Sequence, residues 1–365
     1  MTDDLEADEL EETKAGAKSG QTFANWRPKI GKRLVDRLRL LAAWLRITIL
    51  PQFGRRILFS IILTTSGRLA DAASFVVGIH ILTHSLSDSQ LDPTAIQEGL
   101  IWAAIGLAGV LAVGSGLGYL GNRLAAKVVL EYEMTCVVDS LSIVRHYQDN
   151  NAALPQGEIA NITKQAPRVM SRSLLNVMNA STACVLTVAG LATCAKLFPA
   201  LTIIVLLSLV LLSPFYIYAA VHSTNIGHRI RIYAPGYGIT MKRLQSRWLS
   251  KKQSFDEGKI LQEVRGDPDY RHYFEAYRER MTLSARNHFL SSITLAFVIA
   301  VSFLWIANDV ELNPKSIATV VSYLVALRLF SHGLAGIFHG IQGVNSTLPL
   351  YLTFLLRDPR INKVA

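Results

Sequence analysis

The chain has 365 residues, half of them hydrophobic and only 18% charged, with a mean hydropathy of +0.30. A water-soluble domain carries closer to about a quarter charged residues, so an ordinary soluble globule is excluded. The formal net charge of +10 raises nucleic-acid binding, but the placement of the cations argues for a membrane instead.

Residues 1–28, opening MTDDLEADELEE, are acidic, small and polar, and read as a disordered tail without a cleavable signal peptide. Residues 29–56 read as an N-terminal interfacial elbow helix. Leu34, Leu38, Leu41, Trp44, Leu45 and Ile49 share one helical face, Lys32, Arg39 and Arg46 the other, and Arg33 and Arg37 its border. A basic face opposite Trp and Leu suits the headgroup layer. The plainer alternative is an amphipathic helix packed on a soluble domain, and no such domain is visible. Pro51 is expected to end this helix, and Gly54-Arg55-Arg56 to turn the chain into the bilayer.

Six apolar runs follow, at 57–83, 99–120, 174–195, 200–221, 289–307 and 316–341. Each approaches the roughly 20 residues that carry a helix across a bilayer core. The second to fifth hold no Lys, Arg, Asp or Glu. The fold class expected is an all-α membrane protein with six transmembrane helices, spanning 57–342, with long cytoplasmic helical extensions. Residues 343–365 read as a cytoplasmic tail. If the four longer segments beside these runs face one side, that side holds 33 of the 37 Lys and Arg. This positive-inside asymmetry puts both termini in the cytoplasm, and the basic charge then serves topology and anionic lipid rather than nucleic acid.

The two long internal loops have one plan. The stretch from Asn122 is helix-compatible to about Tyr147, breaks at Asn150-Asn151 and Pro155-Gln-Gly157, and resumes at Glu158. The second runs helically from about Lys242, breaks over 251–258, and resumes into the fifth run, with Gly266-Asp-Pro268 as a further interruption. Each loop therefore reads as two helices projecting from the membrane, joined by a short turn or cross-helix.

Charged and titratable residues inside the runs are candidates for function, because charge at membrane depth is costly and faces a bundle interior or a wet cavity. Arg68 and Asp71 lie three apart in the first run, and Arg328, His332 and His339 form one stripe in the sixth, with Tyr323 nearby. These six are the candidate lining of a cavity for an anionic or amphipathic substrate. The structural alternatives are an ion pair of Asp71 with Arg68 or Arg328, and histidines satisfied within the bundle. His332 and His339, seven apart, do not make the four-residue pair that binds metal on a helix, and no metal is expected. In the second run, Gly114 and Gly118 form a G-x-x-x-G pair, which lets helix backbones approach. Cys136, Cys184 and Cys194 have no metal or disulfide spacing and read as buried, inert thiols.

Six runs, an elbow helix and paired cytoplasmic extensions resemble the transmembrane domain of type I, exporter-type ABC transporters, over about residues 30–360. Pro155-Gln-Gly157-Glu158-Ile159-Ala160 is similar to the family's glycine-hydrophobic step in the first cytoplasmic loop, and Tyr351 to Pro359 resembles its exit linker. The resemblance implies a first coupling helix at 161–168, with Asn161, Lys164, Gln165 and Arg168 facing an ATPase. Lys164-Gln165 and Pro167 stand where the family often has Asp. A second coupling helix is implied at 250–261, with Phe255 as its aromatic anchor. It further implies a bacterial inner-membrane setting, a homodimer or a related permease partner, and ATP bound by a separate ATPase subunit. The chain has no G-x-x-x-x-G-K-[ST] phosphate loop, so no cofactor and no catalysis of its own are expected. Two rivals remain. One is a proton-coupled secondary transporter resembling the SbmA/BacA peptide transporters, using Asp71, His80, His332 and His339. The other is a non-transporting membrane scaffold.

Overall fold

A computed structural model describes residues 39–87, 93–149, 159, 161–248, 257–309 and 314–362. Among them there is no strand, and only Phe198, Asp267 and Asp358 stand outside a helix. Each of the three precedes a proline, whose ring disfavours helical backbone at the residue before it. The helices so delimited are α1 (Leu50–Ser87), α2 (Pro93–Asp149), α3 (Ala166–Leu197), α4 (Pro199–Trp248), α5 (Glu257–Gly266), α6 (Pro268–Asp309), α7 (Pro314–Arg357) and α8 (Pro359–Asn362). The break expected at Gly266-Asp-Pro268 is present. Asp267 Oδ1 accepts the Tyr270 N–H at 3.1 Å, capping α6, and its Oδ2 accepts the Thr240 hydroxyl of α4 at 2.9 Å.

Two other prolines are absorbed differently. Helical residues run from Arg39 through Ser87 without a gap, so Pro51 does not end the leading helix. A π turn at Leu45–Ile49, closed by Leu50 N–H to Leu45 O, widens the helix just ahead of it. A second π turn, Asn161–Gln165, runs directly into α3 just ahead of Pro167. Such a turn makes room where a proline ring would otherwise meet the carbonyl four residues back. The separate cross-helix expected at 161–168 is thus the opening of α3. Pro214 instead bends α4 by 42° between Val210 and Ser213, and the Ser213 hydroxyl donates at 2.8 Å to the Val210 carbonyl that the proline leaves without its amide.

Among the described residues four helices are long and apolar enough to cross a membrane, or five with bent α4 counted as one span. On length and composition the chain is a multi-pass membrane protein. The fifth run, 289–307, lies in α6, where many side chains fall outside the described residues; the count of six spans rests on the sequence pattern.

Two antiparallel pairs, α1 with α2 and α3 with α7, form the body, and α4 with α6 forms a third pair attached through α7. The first two pairs close on small residues. A Cβ at Gly67 of α1 would sit 2.6 Å from the Gly114 carbonyl and 2.7 Å from the Gly118 nitrogen. A Cβ at Gly190 would meet the Phe330 nitrogen at 2.6 Å, and one at Gly333 the Thr187 hydroxyl at 2.5 Å. Within the G-x-x-x-G pair the demand for glycine falls on Gly114, whose Cβ would sit 2.7 Å from Asp71 Oδ1 and 3.0 Å from the Gly67 carbonyl, whereas Gly118 has open space around its Cβ position.

The largest apolar core gathers where the leading helix, α2, α3 and α7 converge. It joins Trp44, Ile49, Phe53, Tyr132, Cys136, Ile162, Met170, Tyr351, Leu355 and Ile361, drawn from five parts of the chain. The apolar face of the leading helix, where described, is taken up here by protein: Trp44 is fully buried between Tyr132 and Tyr351, with ring centroids 6.1 and 6.0 Å away. The segment after 342 is likewise no tail, because α7 continues to Arg357 with Leu348, Tyr351 and Leu355 in this core.

Candidate membrane-depth site

α7 places the candidate stripe. Its Gly333, Gly336 and Gly340 lie against α3, while Phe338 stacks on Tyr216 of α4 at 4.1 Å and Asn345 Nδ2 donates to the Ala220 carbonyl of α4 at 3.5 Å. At about 100° per residue, Arg328, His332 and His339 fall within about 40° of one another, between these two faces. All three are exposed. α1 also packs on α7, and its Arg68, exposed too, is close enough to act electrostatically on His332, as is Arg328. Three of the six candidate residues thus come together from two helices.

The other candidates separate from this group. Asp71 is one turn along α1 from Arg68, but its Oδ1 is turned into the α1–α2 contact, 2.7 Å from where a Gly114 Cβ would be, and is buried without a hydrogen-bond partner. Tyr323 is fully buried in a second core with Leu201, Val205, Val298 and Phe330, edge-on to Phe198 at 5.4 Å. It belongs to packing rather than to the exposed stripe. His339 continues the stripe two turns from His332. Among the described residues no three of His, Cys, Asp and Glu gather as metal ligands.

Of the candidate partner-facing residues, Lys164, Gln165 and Arg168 are exposed at the start of α3, anchored by fully buried Ile162. Asn161 opens the π turn. Phe255 lies outside the described residues. At the C-terminal end of α7, Asp358 is almost wholly buried and accepts from Arg360 at 2.8 and 3.0 Å; Arg360 also reaches Asp139 of α2 at 2.9 Å. These carboxylates, Asp358 first, hold the guanidinium above its ordinary value. Sequence reasoning missed the Arg360–Asp139 half of this clasp and the Tyr216–Phe338 stack, because neither partner pair is periodic or close in the chain. Comparison with protein families finds no match for this chain, and comparison with curated proteins finds none either.

Proposed function

We propose that the chain is the membrane-spanning permease subunit of an ABC-type transporter, moving an amphipathic substrate by alternating access while a separate ATPase subunit supplies the driving force. The observation that carries this reading is helix length. α2 has 57 residues and α4 has 50, whereas a bilayer core takes about 20. Beyond the runs, residues 121–149 and 222–248 extend these helices by roughly 40 Å towards the basic side, as far as Asp149 and Trp248. Such arms suit a subunit whose membrane helices are moved from outside the bilayer. In this reading six spans and an elbow form half a pathway, a second copy or a related subunit forms the other half, and exposed Lys164, Gln165 and Arg168, with Phe255, face the ATPase. Closure of the ATPase would swing the arms and exchange inward- and outward-facing states. No cofactor is assigned to the chain itself.

The test is purification from mild detergent in the native membrane, identification of the co-purifying chains, and an ATPase assay. A stoichiometric phosphate-loop protein is expected, with ATPase activity lost on Phe255→Ala or on joint replacement of Lys164 and Arg168. A pure chain without ATPase activity overturns the reading. The proton-coupled alternative draws on one observation, the Asp71 oxygen buried without a partner. It requires transport in ATP-free liposomes driven by a pH gradient and abolished by Asp71→Asn.

A further inference from the structure

We propose that Arg68, Arg328 and His332 form a membrane-depth binding site for the acidic group, carboxylate or phosphate, of an amphipathic ligand. This rests on the permease reading for its biological use but not for its chemistry.

Position comes first. Arg68 and Arg328 each lie near the middle of an apolar run, 57–83 and 316–341. They come from two antiparallel helices, and His332 lies one turn from Arg328, within electrostatic reach of both guanidinium groups. Three like-signed or basic groups held together at this depth oppose one another unless something answers them. The described residues do not supply that answer. Among the described residues, no carboxylate forms an ion pair or hydrogen bond with Arg68 or Arg328. The nearest acid, Asp71, turns its Oδ1 away into the Gly114 notch on α2.

Exposure decides between the two ways of housing such charges. A cation facing lipid is heavily disfavoured, and membrane-embedded cations face a bundle interior or water. The stripe lies on α7 between the side packed by α3 and the side packed by α4, and Arg68 borders it from α1. The cluster therefore lies on the exposed face of α7 between its α3 and α4 contacts, beside α1. The Tyr216–Phe338 stack forms an apolar wall one residue from His339, suited to a hydrocarbon or aromatic body. Two guanidinium forks bind carboxylate or phosphate oxygens in pairs, and a neutral imidazole adds one N–H. A cationic floor beside an apolar wall defines the ligand class: an anion with a hydrophobic tail.

Two sources share that chemistry, a resident anionic phospholipid and a carried amphipathic acid. The experiment uses the full chain in nanodiscs of phosphatidylcholine. Dansyl-undecanoic acid and its methyl ester are titrated by fluorescence. Wild-type protein is expected to prefer the acid by about tenfold or more, and Arg68→Gln or Arg328→Gln to lose about tenfold for the acid only. The double variant is expected to bind acid and ester alike, with Arg68→Lys and Arg328→Lys retaining part of the preference. Equal affinity of wild-type protein for acid and ester overturns the proposal, whether or not any variant folds. Adding phosphatidylglycerol then assigns the source. Competition with the probe, together with phosphatidylglycerol retained in native mass spectra and lost in the double variant, supports a lipid phosphate. Undiminished probe binding supports a carried acid. The readout needs no ATPase, so acid preference without a co-purifying ATPase sinks the permease subunit and leaves the site standing. An ATPase complex without acid preference does the reverse.

Discussion

The indole N–H of Trp44 donates a 2.6 Å hydrogen bond to the hydroxyl of Tyr132, across 88 residues of chain, and both side chains are fully buried. The bond ties the leading helix to α2 where α7 and the start of α3 also converge. Tyr132→Phe removes the acceptor and leaves the indole N–H buried without one, a loss of about 1–3 kcal/mol. Trp44→Ala removes the ring as well, about 3–5 kcal/mol. Thermal midpoints in detergent, followed by light scattering because Trp44 is itself a fluorophore, should fall in that order. A Tyr132→Phe midpoint equal to wild type would show that the bond contributes nothing.

Gly67 and Gly118, both on the α1–α2 seam, should respond in opposite directions. A methyl group at Gly67 meets backbone, the Gly114 carbonyl and Gly118 nitrogen, which cannot move aside as a side chain can. Gly67→Ala is expected to cost about 1–3 kcal/mol through overpacking. Gly118→Ala meets nothing within 4 Å and should be neutral or stabilising by up to about 1 kcal/mol through helix propensity. The midpoint difference between the two variants is the measurement. Equal destabilisation would contradict the close approach at Gly67.

That contrast marks what sequence could convey. Helix positions were legible because hydropathy and proline spacing act locally: Asp267 before Pro268 and the runs at 57–83 and 174–195 all appear where expected. The stripe of Arg328, His332 and His339 was legible because helical periodicity alone sets it. Its meeting with Arg68 was not, since that depends on which helix packs beside α7. The same holds for Trp44. Its amphipathic face was plain, but whether lipid or protein covers such a face is decided by partners distant in the chain. Tyr323 was misjudged for a similar reason: its place on α7 is exposed only if nothing from α3 or α4 covers it, and Phe198 does. Pro51 looked like a helix end because the local rule has no place for a preceding π turn.

The clasp at the end of α7 should respond to shape more than to pH. Arg360→Ala leaves Asp358, 1% exposed, without its bidentate partner. Because the arginine is itself about half exposed, the expected cost is only about 1–2 kcal/mol. Arg360→Lys should recover little of it, since an ammonium cannot span both carboxylates as the fork does. The sign of the pH dependence follows from the guanidinium being held above its ordinary value by Asp358 and Asp139. A raised basic group contributes fully below its unfolded value and loses that contribution only as pH rises through the raised one. Between pH 6 and 9 the stability difference between wild type and Arg360→Ala should therefore stay flat. A difference that shrinks across that range would show that the clasp is not held by this guanidinium.

The three thiols give an independent reading of the same core. Burial pushes the Cys136 thiol up to about 12, so almost no thiolate exists there at neutral pH, and thiolate is the reactive form. Cys194 is buried as well, whereas Cys184, expected to be buried and inert, is exposed on α3. With N-ethylmaleimide at pH 7.5 in detergent, intact protein should gain one adduct, and Cys184→Ser should gain none. Both should reach their full count after unfolding in dodecyl sulfate. Tyr132→Phe, if it loosens the packing around Trp44, should speed Cys136 modification without changing Cys194, because Cys194 lies in the other core with Leu201 and Tyr323. Equal acceleration at both thiols would mean that the two cores open together. Acceleration at Cys136 alone would show that the base formed by the leading helix, α2, α3 and α7 opens as a unit of its own.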